Sequence, residues 1–235
     1  MFAITPQMMS NFFNSISKFI ILLSIILISV AGVLIIFLEN DYYQGISFKI
    51  MFIHVPAAWL SLMIFFSMGI SSIIGLIFKS PTSFTISRSL SPVGLIMSIM
   101  VLITGSIWGN LTWGTYWVWD ARLTSMLILA FIYLGHLFLL YSFEHFQKAD
   151  FAASILAIIG MVNIPIVKFS VDWWTTLHQG SSVFKVTGPS MTTDYLITLM
   201  VSFFAILLLS FYWFTNIFYI TTENRRIERV KLLND

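Results

Sequence analysis

Six long runs of apolar residues divide the chain, and each is long enough to cross a bilayer, which takes about 20 helical residues. The runs lie near residues 19–38, 50–78, 90–108, 121–143, 151–167 and 192–212. The first four connections between them are short and the fifth is long, and no internal repeat or appended soluble domain is visible. The pattern predicts an all-α polytopic membrane protein with six transmembrane helices, organised as a single membrane domain over residues 1–235.

Prolines and one asparagine indicate where these helices begin or become irregular. Pro56 and Pro92 are predicted to lie in the first turns of the second and third helices, where the backbone N–H groups are unpaired in any case. Asn163 and Pro165 predict an irregular far end for the fifth run, the shortest of the six. The first run is too long for a signal peptide and lacks a small-residue cleavage site, so no cleavable signal is expected.

Composition narrows the class of protein further. Hydrophobic residues make up 58% of the chain and charged residues only 9%, whereas charged residues make up about 25% of a soluble domain. The formal net charge of +2 is too small to indicate nucleic-acid binding. The absence of cysteine excludes disulfides, thiolate metal sites and covalent c-type haem attachment to this chain. Four histidines remain as the main candidate ligands.

The distribution of lysine and arginine predicts the orientation, because these residues are enriched on the cytoplasmic side of membrane proteins. One predicted side holds eight of the twelve: Lys18, Lys79, Arg88, Lys148, Arg225, Arg226, Arg229 and Lys231. The other side holds Lys49, Arg122, Lys168 and Lys185. Both termini are therefore predicted on the cytoplasmic or matrix side, and the tail over 224–235 is expected to be a solvated helix end or a disordered stub.

Half of the eight tryptophans lie in one segment, residues 108–120, which reads WGNLTWGTYWVWD and continues as ARLTS to residue 125. An interfacial aromatic belt is one interpretation, and an aromatic platform for a large flat ligand is the other. The predicted outer side carries Trp108, Trp113, Trp117, Trp119, Trp173 and Trp174. A belt decorates both interfaces, so this asymmetry favours a ligand site in a tryptophan-rich outer loop.

Two histidines flank this segment in chain order and are predicted on the same outer face, His54 at the start of the second helix and His178 in the fifth connection. Two neutral imidazoles approaching from opposite sides are what a six-coordinate haem iron requires. Arg122 is the best-placed cation to bind the propionates of such a haem, and Lys49 and Lys168 are the alternative cations. Asp120 is predicted to cap the helix that begins at Ala121.

Three further residues carry narrower expectations. Arg122 in a first helical turn opposes the macrodipole, so we expect it to have an anionic partner, either Asp120, Asp172 or a propionate. His136 lies deep in the fourth helix with no equally deep histidine, which favours a structural role. His145 in the connection over 144–150 is expected to be solvated.

Three stretches resemble one known family: residues 113–125 (WGTYWVWDARLTS), 53–59 (IHVPAAW) and 165–179 (PIVKFSVDWWTTLHQ). They are similar to the WWD family of haem-handling proteins of cytochrome c biogenesis, which comprises CcmC, CcmF and CcsA, and most closely to its CcmC branch. Tyr116 stands where many relatives have tryptophan, which keeps an aromatic face.

The resemblance implies non-covalent, transient binding of haem b at the outer, periplasmic or intermembrane face, between the axial ligands His54 and His178. It implies that the rest of the site contains Trp113, Trp117, Trp119, Asp120, Arg122, Trp173 and Trp174. It also implies delivery to the haem chaperone CcmE, beside an ABC-type complex of the ATPase CcmA, the membrane subunit CcmB and the small helix CcmD. The chain has no P-loop, so ATP hydrolysis is expected from a partner and no enzyme activity from this chain. The implied location is the bacterial or mitochondrial inner membrane.

Other functions are compatible with part of this pattern. A b-type cytochrome for electron transfer usually has its histidines at membrane depth, where only His136 is predicted. A haem lyase that forms thioether bonds has more helices and histidines in the relatives proposed for that chemistry. A non-haem assembly scaffold, anchored by its tryptophans, is expected to purify without haem.

Overall fold

The computed structural model describes residues 5–180, 182, 183, 185 and 188–234, and within this part of the chain the regular structure is helical. The helices are α1 Pro6–Phe37, α2 Met51–Phe78, α3 Pro81–Trp113, α4 Ala121–Tyr141, α5 Phe146–Gly160, α6 Asn163–Trp173 and α7 Thr193–Asn234. A 3₁₀ helix, Ile46–Ile50, leads into α2. Six segments are long and apolar enough to cross a membrane, with α5 and α6 together forming the fifth. This confirms the predicted six-span fold class.

Helix α3 lies at the centre of the bundle, where it contacts α2, α4 and α7. Helix α1 packs along α7, and α5 packs against both α2 and α4. The core between these helices contains the fully buried side chains of Leu60, Phe65, Met97, Leu129 and Tyr133. Beyond α5 the chain continues as α6, which packs mainly against α4 and only slightly against α2. The bundle is therefore closed in one half and open between α2 and α6 in the other.

Helix α3 begins nine residues before the apolar run that predicted it. Ser80 caps it by accepting a hydrogen bond from the Ser83 amide at 3.3 Å, and Pro81 occupies the first helical position. The hydroxyl of Thr85 donates to the Pro81 carbonyl at 2.8 Å, so a polar side chain is satisfied within the helix. The expectation that Pro92 lies in a first turn is therefore wrong, because Pro92 sits in the interior of α3.

The irregularity expected in the fifth span lies between α5 and α6, just before Pro165. Proline has no N–H, so Pro165 is unable to donate to the Met161 carbonyl as a regular helix requires. The Ile164 amide donates to that carbonyl instead, at 3.1 Å, and the Val162 amide donates to Ile159 at 3.2 Å. These bonds from residue i to residue i−3 interrupt the regular helix, and beyond the interruption α6 makes little contact with α2.

At the end of the bundle opposite the tryptophan-rich segment, a buried ion cluster joins three helices. Asp150 of α5 accepts from Arg88 of α3 at 3.0 Å and from Arg225 of α7 at 2.6 Å. The Phe146 ring lies 4.4 Å from the first guanidinium and 4.5 Å from the second. Helix α7 has 42 residues, about 63 Å at 1.5 Å per residue, so the tail continues as helix to Asn234 rather than as a disordered stub.

The two histidines outside the predicted site lie in this half of the molecule. His136 is buried, and its Nδ1 atom lies 3.0 Å from the Ser91 hydroxyl, which agrees with a structural role. His145 was expected to be only solvated. Its side chain is half exposed, but Nδ1 lies 3.5 Å from a carboxylate oxygen of Glu228, so it also contacts α7.

Gly94 provides a test of the packing between α3 and α4. A Cβ atom at this position would overlap the ring of Tyr133, whose hydroxyl donates to the Ser61 carbonyl at 2.7 Å. Gly94→Ala is expected to destabilise the protein by about 1–3 kcal/mol through overpacking, measured as a lower apparent Tm in detergent. Gly32→Ala is the matched control, because the space around Gly32 is open. An equal Tm for both variants would contradict the close packing at Gly94.

Candidate functional site

A cavity of about 520 Å³ lies at the tryptophan end of the bundle, by which we mean the end formed by residues 114–120 and 175–180. This volume is in the range of about 300–1,000 Å³ that ligand pockets commonly have. Helices α2, α3, α4 and α6 form most of its walls, where α6 makes little contact with α2. Residues 177–180, 182 and 183 and Leu199 of α7 also line it. The predicted site residues that line it are His54, Trp113, Trp117, Arg122 and His178.

His54 occupies the fourth position of α2 and is fixed against α3. Its Nδ1 atom lies 3.0 Å from the Thr104 hydroxyl oxygen, and that hydroxyl in turn donates to the Met100 carbonyl at 2.6 Å. The Trp108 ring meets the imidazole edge-on, with ring centroids 5.7 Å apart. A Cβ atom at residue 105 would lie 2.9 Å from His54 Cε1, so Gly105 leaves the space that the imidazole occupies.

His178 reaches the same cavity from the connection between α6 and α7. Its Nδ1 atom lies 3.4 Å from Asp120 Oδ2, and the Trp113 ring packs edge-on against it at 4.8 Å between centroids. The Thr176 hydroxyl accepts from the His178 amide at 3.2 Å and fixes the backbone. Burial lowers the pKa of His178 below its usual 6.5, although Asp120 opposes the shift, so the imidazole is neutral at pH 7.

Asp120 does not line the cavity but stands directly behind His178. Its Oδ1 atom accepts from the Leu123 amide at 2.8 Å, which confirms the predicted N-cap of α4. Its other oxygen, Oδ2, is the one that faces His178. The side chain is buried, so one carboxylate sets both the start of α4 and the position of the imidazole.

Arg122 lines the cavity from the first turn of α4. Its Nε atom donates to the Ser170 hydroxyl at 3.0 Å, and one terminal nitrogen donates to the Lys168 carbonyl at 3.5 Å. In the part of the chain that the structure describes, no carboxylate lies within 4.0 Å of the guanidinium. The expected direct ion pair with Asp120 or Asp172 is therefore not formed, although both carboxylates lie close enough to act on the guanidinium electrostatically and Asp172 lines the same cavity.

The tryptophans divide into two groups. Trp113 and Trp117 line the cavity, and the buried Nε1 atom of Trp117 has no hydrogen-bond acceptor among the described residues. Trp119, Trp173 and Trp174 do not line the cavity, and their side chains are 76%, 56% and 49% exposed. The segment is also less of a loop than expected, because α3 continues to Trp113 and only residues 114–120 are irregular.

Several lining residues were absent from the predicted site, among them Gln44, Trp59, Trp108 and Gly109. Trp108 donates from Nε1 to the Gln44 side-chain oxygen at 2.8 Å and so ties the end of α3 to the connection before α2. On α3 the lining positions 101, 105, 108, 109 and 112 share one face. This three- and four-residue spacing was the signal in the sequence that would have found them.

Comparison with known protein families assigns nearly the whole chain to one of them. Residues 1–232 match the model of the family described as heme exporter protein C. The chain belongs to the heme exporter protein C family. Membership implies a role in haem handling for cytochrome c biogenesis, in agreement with the resemblance found in the sequence.

Individual relatives come from bacteria and from a plant mitochondrion. The chain is 46% identical over 170 residues to heme exporter protein C of Bradyrhizobium diazoefficiens, which covers 72% of this chain and 65% of that protein, so the match spans less than two thirds of the relative. It is 38% identical over 215 residues to heme exporter protein C of Haemophilus influenzae, covering 91% and 87%. It is 46% identical over 188 residues to a ccmC-like mitochondrial protein of cytochrome c biosynthesis from Marchantia polymorpha, covering 80% and 77%. Together with the six candidate spans of this chain, these relatives are consistent with a multi-pass protein of the bacterial or mitochondrial inner membrane.

The lowered pKa of His178 predicts a pH dependence of stability. Because the pKa in the folded state lies below the value of about 6.5 in the unfolded chain, the unfolded state binds more protons between the two values. Stability is therefore expected to fall as the pH drops through 6.5. His178→Gln keeps a donor for Asp120 but does not titrate, so its apparent Tm is expected to fall less than that of the wild type between pH 7.5 and 5.5. Parallel pH profiles would contradict a buried neutral imidazole.

Proposed function

We propose that this protein holds haem b non-covalently at the tryptophan end, with His54 and His178 as axial ligands, and delivers it to the haem chaperone CcmE. The observation that carries the proposal is that two imidazoles from distant parts of the chain line one cavity of about 520 Å³. Haem is the cargo of this site and not a permanent cofactor. Binding is therefore firm but reversible, and no chemical reaction is assigned to the chain.

The number of ligands supports a metal that is already held in a macrocycle. No group of three or more His, Cys, Asp or Glu side chains that could hold a metal ion occurs among the described residues. Two imidazoles are too few for a bare ion, since protein sites use three or four side-chain ligands for zinc. The porphyrin already supplies four nitrogens to its iron, so two axial histidines complete the coordination.

The other lining groups suit the rest of the cargo. The indoles of Trp108, Trp113 and Trp117 offer aromatic surface to a flat macrocycle, and aromatic rings pack well against one another. The Nε1 atom of Trp117 is buried with no acceptor among the described residues and is available to donate to a polar group of the ligand. Trp119, Trp173 and Trp174 stay predictions for contacts at the exposed porphyrin edge, where the chaperone would approach.

Arg122 is proposed to bind a propionate. A guanidinium with no carboxylate within 4.0 Å among the described residues is an attractive site for a carboxylate of the ligand, because charge-assisted hydrogen bonds are the strong ones. Lys168 and Asp172 also line the cavity, with opposite charges.

The proposed orientation places both termini on the cytoplasmic or matrix side and the cavity on the outer side, where the chaperone receives the haem. The proposed partners are the ABC-type proteins CcmA, CcmB and CcmD. Of these, the ATPase CcmA supplies hydrolysis, since this chain has no P-loop. The role of this protein in that assembly is to present haem rather than to use ATP.

The axial ligands are tested by absorption spectroscopy of the purified protein with added haem. The wild type is expected to give a low-spin bis-imidazole spectrum, which weakens in His54→Ala and in His178→Ala and disappears when both are replaced. His145→Ala is the matched control, because this histidine lies at the opposite end of the bundle.

The outcomes separate the alternatives. Haem that stayed fully bound in the double variant would refute these two ligands. A protein that bound no haem even after addition would favour the assembly scaffold, and rapid reduction of the bound haem by quinol would favour a b-type cytochrome.

The propionate contact is tested with haem whose two propionates are esterified. Wild-type protein is expected to bind the diester about 10-fold more weakly than haem, since a hydrogen bond to a charged group contributes about 1.5–3 kcal/mol. Arg122→Gln is expected to lose this discrimination, and Arg122→Lys to keep part of it. A variant Arg122→Gln that still preferred the free acid would show that another cation binds the propionates.

A further inference from the structure

The two histidines of the cavity have different groups behind them. His178 has the carboxylate of Asp120 at 3.4 Å from Nδ1, and His54 has the hydroxyl of Thr104 at 3.0 Å from the same atom. In both cases Nδ1 is engaged within the protein, and Nε2 is the ring nitrogen left for a ligand. The group that holds Nδ1 decides which tautomer the imidazole adopts.

The tautomer of His178 follows from the chemistry of Asp120. An ionised carboxylate is an acceptor only, so Nδ1 must carry the proton that it shares with Asp120. The Nε2 lone pair is then free to bind a metal. Both oxygens of Asp120 are in use, one at the Leu123 amide and one at His178, and only a carboxylate offers two acceptors in this position.

The tautomer of His54 follows from the hydrogen bonds of Thr104. The Thr104 hydroxyl has a single proton, which it donates to the Met100 carbonyl at 2.6 Å. Toward His54 this oxygen is therefore an acceptor, and Nδ1 again carries the proton. His54 and His178 share the same tautomer, but the acceptor behind His54 is neutral and the acceptor behind His178 is charged.

From this difference we infer that Asp120 and Thr104 are positioning residues of unequal strength, and that His178 is the stronger axial ligand. The inference rests on the proposed function. A carboxylate behind a ligating histidine raises the basicity of that ligand more than a neutral hydroxyl does. On transfer, the bond from iron to Nε2 of His54 breaks first, its electron pair stays on Nε2, and a ligand of the acceptor takes the vacated position without a change of oxidation state.

The order of ligand strength is tested with ferric haem and the full-length protein in which one ligand at a time is removed. His54→Gly keeps the carboxylate-backed His178 and is expected to bind haem about 10-fold more tightly than His178→Gly, in line with the 10- to 100-fold effect of outer-shell partners. Added imidazole is expected to restore the low-spin spectrum of both variants, which shows that the cavity is intact. Equal affinities would overturn the inference.

Asp120→Asn isolates the role of the carboxylate. Asparagine caps a helix as well as aspartate does, but it has only one acceptor oxygen for the two N–H groups that Asp120 serves. We expect the variant to lose the difference between His54→Gly and His178→Gly, and its bound haem to have a higher reduction potential because the ferric state is less stabilised. Asp194→Asn makes the same carboxylate-to-amide change in the first turn of α7, outside the lining of the cavity, and is the matched control, with an unchanged potential.

Two different results would overturn the order of ligand strength and the haem site itself. A potential that is the same in wild type and Asp120→Asn, with haem bound in both, would overturn the inference and leave the proposed haem site in place. Absence of haem binding in the wild type would overturn the proposed function itself, and the inference with it.

Discussion

The carboxylate of Asp120 is the constraint on which the tryptophan end depends. A buried carboxylate is costly unless hydrogen bonds satisfy it, and here the Leu123 amide and the His178 imidazole do so. The first contact fixes where α4 begins and the second fixes a histidine more than fifty residues further along the chain. Because Trp113 also packs against His178, the end of α3, the start of α4 and the connection before α7 are held around one buried group.

The cavity beside this group exists because the fifth span is not a continuous helix. Where α5 runs straight, it packs against both α2 and α4, and the bundle is closed. Pro165 has no backbone donor, and the bonds around Met161 and Val162 join residue i to residue i−3. Beyond this point α6 packs on α4 and makes little contact with α2. On the opposite wall, Gly105 leaves room for the imidazole of His54. The volume is thus made where α6 packs away from α2, and the connection after α6 supplies His178 and part of the lining.

The membrane-spanning segments were predictable because about 20 apolar residues in a row have few alternatives in lipid. The extent of α3 was not, because hydropathy treats Ser and Thr as polar although their hydroxyls bond to the preceding helical turn, as Thr85 does. Arg88 precedes the apolar run of residues 90–108, yet it is buried in α3 against Asp150. Hydropathy measures the cost of exposing a group to lipid. It does not include hydrogen-bond or ion-pair partners that other helices supply.

The part of the site that could be predicted is the part that follows from the transmembrane topology alone. His54, His178 and Arg122 fall at one end of the bundle once the spans are known, and all three line the cavity. Which indoles point inward depends on side-chain directions at the end of α3 and in the irregular turn, and the sequence gives no period there. Trp119 and Trp117 are two residues apart, yet one is largely exposed and the other lines the cavity. The polar groups therefore identify the site, and the aromatic residues around it are assigned only once the backbone between Gly114 and Asp120 is known.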